Sequence, residues 1–111
     1  MELNVEREAE IKVSATELRD RLMKWAQRNG FACASDLAAA WTFTRGSPLR
    51  AIASFDIRQH PTEAVVRHIP DRGTVYCGMR LRSTLAVETG GDRQRMQEQL
   101  DLLVAHVKGA L

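Results

Sequence analysis

The sequence predicts an α+β domain in which a curved antiparallel sheet packs on a C-terminal amphipathic helix. Several segments alternate apolar and polar residues with a period of two, the pattern of strands with one buried and one solvated face. The end of the chain instead repeats apolar residues at helical spacing. Short turns connect most of the strands, which favours antiparallel pairing. The predicted order is β-α-β-β-β-β-α.

The length and composition favour one domain that spans residues 1–111. A chain of 111 residues buries roughly two-thirds of its unfolded surface, enough for one real core. With 44% hydrophobic and 27% charged residues, the composition is that of an ordinary globular protein.

The charge and hydropathy of the sequence argue against a nucleic-acid partner and against a membrane span. A formal net charge of +2 is too small to indicate a nucleic-acid partner. No apolar run approaches the roughly 20 residues of a membrane span, and the N-terminus lacks the features of a signal peptide. We therefore expect a cytoplasmic protein with neither a membrane nor a nucleic-acid partner.

The first strand and the first helix are predicted from residues 3–30. Apolar residues alternate with polar ones from Leu3 to Val13, apart from Arg7. Ser14 then stands three residues before Glu17, the spacing of a capping box. The apolar positions of the helix that follows are Leu18, Leu22, Trp25 and Ala26, and Gly30 has the position of a left-handed C-cap.

Small residues dominate positions 31–40, which we interpret as a connection to a strand at 41–44. A further strand is predicted at 49–57, after a turn at Gly46. The favoured register of this hairpin places each large aromatic residue opposite a small one: Phe43 opposite Ala51, and Trp41 opposite Ala53.

The last two strands are predicted at 62–69 and 74–87, with a turn at 70–73 between them. Pairing Ile69 with Thr74 places most of the apolar residues of both strands on one face and most of the polar residues on the other. One face then combines Ala64, Val66 and His68 with Val75, Cys77 and Met79. The other face places Glu63 opposite Arg80 and Arg67 opposite Tyr76, which favours an ion pair and a cation–π contact.

The closing helix is predicted to start after Gly90 and Gly91, with Asp92 as its N-cap. Its apolar stripe consists of Met96, Leu100, Leu103, Val104 and Val107. We expect this stripe to form the centre of the core, against Trp41, Phe43 or Phe55.

The predicted order of elements resembles the helix-grip topology of plant pollen allergens and START-type lipid carriers and, more broadly, of the TATA-binding domain. The resemblance implies a curved sheet wrapped around a long C-terminal helix. It covers the whole chain as topology, without a shared residue motif. Because helix-grip carriers are longer, we expect side chains to fill the corresponding space here.

Two sets of residues are candidates for a binding site. A pocket between the sheet and the last helix would bring together Trp41, Phe43, His68 and Cys77. An interaction face on the other side of the sheet would carry Arg50, Arg67, Tyr76, Arg80 and Arg82. The face suits a protein partner better than a nucleic acid, because acidic residues dilute its charge.

The titratable residues form no catalytic or metal-binding motif. The spacing of His60 and His68 is not that of metal ligands, and His106 is expected to be a solvated helix residue. Cys33 and Cys77 are expected to be reduced and too far apart for a disulfide. We therefore expect no cofactor and a noncatalytic binding or interaction module that forms a homodimer. The alternative is a small enzyme or small-molecule carrier that uses the predicted pocket.

Overall fold

In the part of the chain that the structure describes, five antiparallel strands form one sheet, and two helices pack on one of its faces. The computed structural model describes residues 2–47, 60–82 and 89–109. The elements are β1 (Glu2–Glu10), α1 (Ala15–Asn29), β2 (Ala32–Asp36), β3 (Ala40–Arg45), β4 (Thr62–Ile69), β5 (Thr74–Arg82) and α2 (Thr89–Val107). The predicted fold class is confirmed.

The strand order across the sheet is β1-β5-β4-β3-β2. All neighbours are antiparallel, and of the described strands the first in sequence, β1, pairs with the last, β5. This order leaves β1 and β2 as the edge strands of the described sheet.

The predicted register of β4 and β5 is confirmed over its whole length. Ile69 lies opposite Thr74, Val66 opposite Cys77 and Arg67 opposite Tyr76. The turn closes where it was predicted, since Gly73 N donates to Pro70 O at 3.2 Å. Gly73 adopts a φ of 64°, which a residue with a side chain rarely adopts.

The sequence did not predict β2, which lies inside the stretch interpreted as a connection. Its small side chains are mostly exposed and do not alternate, so the segment carries no period-two signal. Pairing with β3 holds it as a strand, with a register shift between Cys33 and Ser35. Phe43 therefore lies between Cys33 and Ala64 in the sheet. The predicted pairing of Phe43 with Ala51 and of Trp41 with Ala53 was wrong, because β2 and β4 occupy both sides of β3. The predicted strand 49–57, with Ala51, Ala53 and Phe55, lies outside the described residues.

Both predicted ends of α1 are confirmed. Ser14 Oγ accepts a hydrogen bond from Glu17 N at 3.1 Å, and Gly30 adopts the left-handed C-cap with a φ of 73°. Phe31, directly after the cap, stacks on Trp25 with ring centroids 4.7 Å apart.

The predicted stripe of α2 is buried at all five positions: Met96, Leu100, Leu103, Val104 and Val107. The predicted start was wrong, because the helix begins at Thr89 and includes Gly90 and Gly91. Asp92 therefore lies in the first turn instead of serving as the N-cap. The penalty of about 1 kcal/mol for a helical glycine is small beside the burial of the stripe that follows.

The core lies between the sheet and the two helices. Helix α2 packs against β1, β5 and α1. Helix α1 reaches β3 through Trp25, whose ring meets Phe43 edge-on with centroids 5.9 Å apart. The opposite side of the sheet is called the outer face below, and its side chains include Glu6, Arg67 and Tyr76.

Candidate functional site

The four predicted pocket residues do not share one environment. Trp41, Phe43 and Cys77 are at most 1% exposed and belong to the hydrophobic core. His68 is half-buried and lines a groove at the end of the sheet. Packing with α1 and α2 thus accounts for three of these residues without a ligand.

Four of the five residues predicted for the interaction face lie on one side of the sheet. Arg67 on β4, together with Tyr76, Arg80 and Arg82 on β5, occupies the outer face. Arg50 lies outside the described residues. The guanidinium carbon of Arg67 lies 4.6 Å from the centroid of the Tyr76 ring, which confirms the predicted cation–π contact.

Tyr76 is held in one orientation on this face. Its hydroxyl donates to Glu6 Oε2 at 2.7 Å, and this hydrogen bond is the main cause of a raised Tyr76 pKa. The ring lies over Gly78, where an added Cβ would come within 2.8 Å of the Tyr76 hydroxyl oxygen. The glycine therefore makes room for the aromatic ring, and Arg67 is fixed by stacking on it.

A depression of about 420 Å³ lies beside this ring on the outer face. Its lining includes Glu6, Glu63 and Arg80, with Val65 and Gly78 between them. Carboxylates and a guanidinium line it together, so the depression has no single charge that would select an ionic ligand.

A second surface feature, which we call the hairpin groove, has a volume of about 570 Å³. The turn between β2 and β3, the end of β4 and the turn before β5 meet there. Its apolar lining includes Leu37, Ala39 and Ile69, and its charged lining consists of Arg67, Arg72 and Glu8. Leu37 is 63% exposed.

Backbone hydrogen bonds hold the turn that carries Leu37. Leu37 N donates to Ala40 O at 2.9 Å, and His68 N donates to Ala39 O at 2.8 Å. The second bond links the turn directly to the end of β4. The exposure of Leu37 therefore belongs to an ordered turn and not to a frayed one.

Asp36 fixes the base of the same turn. Its carboxylate accepts from Arg19 Nη2 at 2.7 Å and from Trp41 Nε1 at 2.9 Å. The hydrogen bond from Arg19 is the main cause of a lowered Asp36 pKa. Helix α1, β2 and β3 are thus joined at the residue that precedes Leu37.

The hairpin groove carries an excess of positive charge. Arg72 Nη1 lies 3.1 Å from Glu8 Oε1, an exposed pair of the kind that contributes about 0–1 kcal/mol. Arg67 is exposed and stacked on Tyr76, and it forms no ion pair with any residue that the structure describes. A carboxylate from outside could therefore pair with Arg67 without displacing an internal one.

Sequence reasoning missed the apolar part of this groove. Leu37 and Ala39 were assigned to a connection, and their proximity to Ile69 depends on the pairing of β3 with β4. A signal was present, since Leu37 is a lone large apolar residue among small ones in a turn.

One of the histidines, His106, joins α1 and α2. Within the described ranges, no group of three or more His, Cys, Asp or Glu side chains could hold a metal ion. The expectation of a solvated His106 was wrong: its Nε2 lies 2.8 Å from Arg21 O, and the residue is half-buried. Arg21 Nη1 in turn donates to Val107 O at 2.6 Å, so these contacts tie the end of α2 to α1.

The two cysteines are free and lie on different strands of the sheet. From β2 to β5 there are three inter-strand spacings of about 4.8 Å, or roughly 14 Å, which no disulfide spans. The prediction that they are too far apart is confirmed. Cys33 is exposed, whereas burial raises the pKa of Cys77 to about 12.

The difference in exposure between the two cysteines predicts that a thiol reagent modifies Cys33 and not Cys77. At pH 8 a maleimide should modify the native protein once, at Cys33, because Cys77 is buried and remains a thiol well below its pKa of about 12. Intact-mass spectrometry should show one adduct on the native protein and two after denaturation. The Cys33→Ser variant is the control and should take up none while folded. Two adducts on the native wild type would contradict the buried position of Cys77.

Neither helix of the described chain combines the length and apolar composition needed to cross a membrane. No protein-family model matches the chain, and no curated protein matches it in sequence.

Proposed function

We propose that this domain is a noncatalytic protein-interaction module that binds its partner at the hairpin groove. The observation that carries the proposal is an exposed leucine, Leu37, on an ordered turn beside Arg67, which lacks an ion pair among the described residues. An apolar centre with arginine at its rim is the usual composition of a protein interface.

Charge favours a protein partner over a nucleic acid. A nucleic acid needs a row of cations along its phosphate backbone, whereas the strand that borders the groove carries Glu6 and Glu8 on the outer face. Arg67 lies over the ring of Tyr76, which limits that ring as a platform for base stacking. The groove instead suits a segment with an apolar side chain and a nearby carboxylate.

The alternative of a small enzyme or carrier lacks comparable support. Its predicted residues Trp41, Phe43 and Cys77 are packed in the core, and the raised pKa of Cys77 disfavours the nucleophilic thiolate.

We propose a cytoplasmic location for the interaction module, because an exposed free thiol such as Cys33 persists best in a reducing compartment.

Selection from a displayed library of short random peptides tests this function. The wild type should enrich peptides that combine a large apolar residue with Asp or Glu, since these match Leu37 and Arg67. The Leu37→Asp variant should lose the enrichment, because it places a carboxylate in the apolar centre of the groove.

The matched control is Leu102→Asp, which changes an exposed leucine on α2 and leaves the groove intact. It should enrich the same peptides as the wild type. Failure of the wild type to enrich any peptide class, or equal enrichment by Leu37→Asp, would show that the groove is not the binding site.

A further inference from the structure

We infer that the partner is a second copy of this chain, whose helix α2 places Leu102 in the hairpin groove. The inference rests on the proposed function, because it names the occupant of the same groove. It starts from Leu37 and Leu102, the two large hydrophobic side chains that are exposed among the described residues, at 63% and 56%.

Leu102 lies on the side of α2 that faces away from the core. Its neighbours Leu100 and Leu103 are fully buried, so Leu102 has no part in the apolar stripe. A single exposed leucine on a helix needs no explanation by itself. Leu102 becomes a candidate contact residue because of the acidic side chains beside it on α2.

Leu102 has acidic neighbours on α2, whereas the groove beside Leu37 carries a net positive charge from two arginines and one glutamate. Glu98 lies one turn before Leu102 on the same side of the helix, and Asp101 directly precedes it. Both acidic residues are exposed. Asp101 pairs with Arg7 at 3.2 Å, whereas Glu98 forms no ion pair within the described segments of the chain.

The two surfaces are therefore complementary in both polarity and charge. One offers an exposed leucine with Glu98, and the other offers an exposed leucine with Arg67, and neither charged group has an ion-pair partner in the described part of its own chain. Joining them buries both leucines and pairs both charges at the rim of the contact, which favours correct orientation.

This contact joins two different surfaces of the chain. Leu37 lies in a turn at the end of the sheet, whereas Leu102 lies on the outer side of the helical layer. The contact is thus heterologous, and after the first contact one copy keeps an unused helix surface and the other keeps an unused groove. In place of the homodimer expected from the sequence, the assembly would then extend beyond two copies or close into a ring.

Complementation between two variants tests this contact. The wild type should increase in mass with concentration in sedimentation velocity and native mass spectrometry. Leu37→Asp and Leu102→Asp should each be monomeric, since each destroys one of the two surfaces. An equimolar mixture should form a species of two copies and no larger one, because only one intact groove and one intact helix surface remain in each pair.

The matched control is Lys24→Asp on the exposed side of α1, which should assemble like the wild type. Circular dichroism of each variant should match that of the wild type, so that loss of assembly is not loss of fold. A second pair, Arg67→Glu and Glu98→Arg, should each weaken assembly and restore it when combined in one chain.

Three results would overturn the inference: a wild type that is monomeric at all concentrations, assembly that Leu37→Asp leaves unchanged, or a mixture of the two Asp variants that stays monomeric. A failure of the self-association can be distinguished from a failure of the proposed function. If the groove enriches acidic, apolar peptides while the wild type is monomeric, the module binds another protein and only the self-association is wrong.

Discussion

Replacing Leu103 by alanine should lower the free energy of unfolding by about 2–5 kcal/mol, through lost burial and a residual cavity. Leu103 is fully buried on α2, the helix that closes the core over β1 and β5. Urea denaturation at a concentration where the chain is monomeric measures the effect as a shift in midpoint with an unchanged slope.

The neighbouring Leu102 is the control for this substitution, because it has the same side chain in an exposed position. Leu102→Ala should change the free energy of unfolding by no more than about 0.5 kcal/mol. A loss below about 1 kcal/mol for Leu103→Ala would mean that α2 does not close the core.

Phe43→Ala should be at least as damaging, with an expected loss of about 3–5 kcal/mol. Phe43 is fully buried on β3, and its sheet neighbours Cys33 and Ala64 are too small to fill the space it leaves. Trp25 would lose its edge-on contact, so its fluorescence should shift towards that of a more hydrated indole.

The next residue on the strand provides the comparison. Thr44 is exposed and points to the other face, so Thr44→Ala should leave both the fluorescence and the unfolding midpoint nearly unchanged. Equal losses for the two variants would contradict the assignment of the inner and outer faces of β3.

The elements that could be predicted are those with a local signal. The register of β4 and β5 follows from their alternation and from a turn that ends in Gly73. Helix α1 has both caps in the sequence, and α2 has a long apolar stripe. Strand β2 has neither alternation nor bulky residues, and only its pairing with β3 defines it.

In the candidate site too, contacts with a local sequence signal could be predicted and contacts between distant segments could not. The contact of Arg67 with Tyr76 could be predicted because it depends on a single register between adjacent strands. The hairpin groove could not, since it requires Leu37, Ile69 and Arg72 to meet from three separate segments. Alternation also identified the inner face of the sheet, but it cannot distinguish a packed aromatic residue such as Trp41 from one that lines a pocket.

The pairing of β1 with β5 has a consequence for synthesis on the ribosome. Strand β1 is synthesised before β5, so it must wait for Thr74–Arg82 before it can join the sheet. Contacts so distant in sequence make folding slower than that of a helical protein of equal size. During this interval Glu6, Glu8 and Glu10 would oppose like charges on another nascent β1, which disfavours strand pairing between chains. The acidic side of β1 would thus protect the unfinished protein from aggregation.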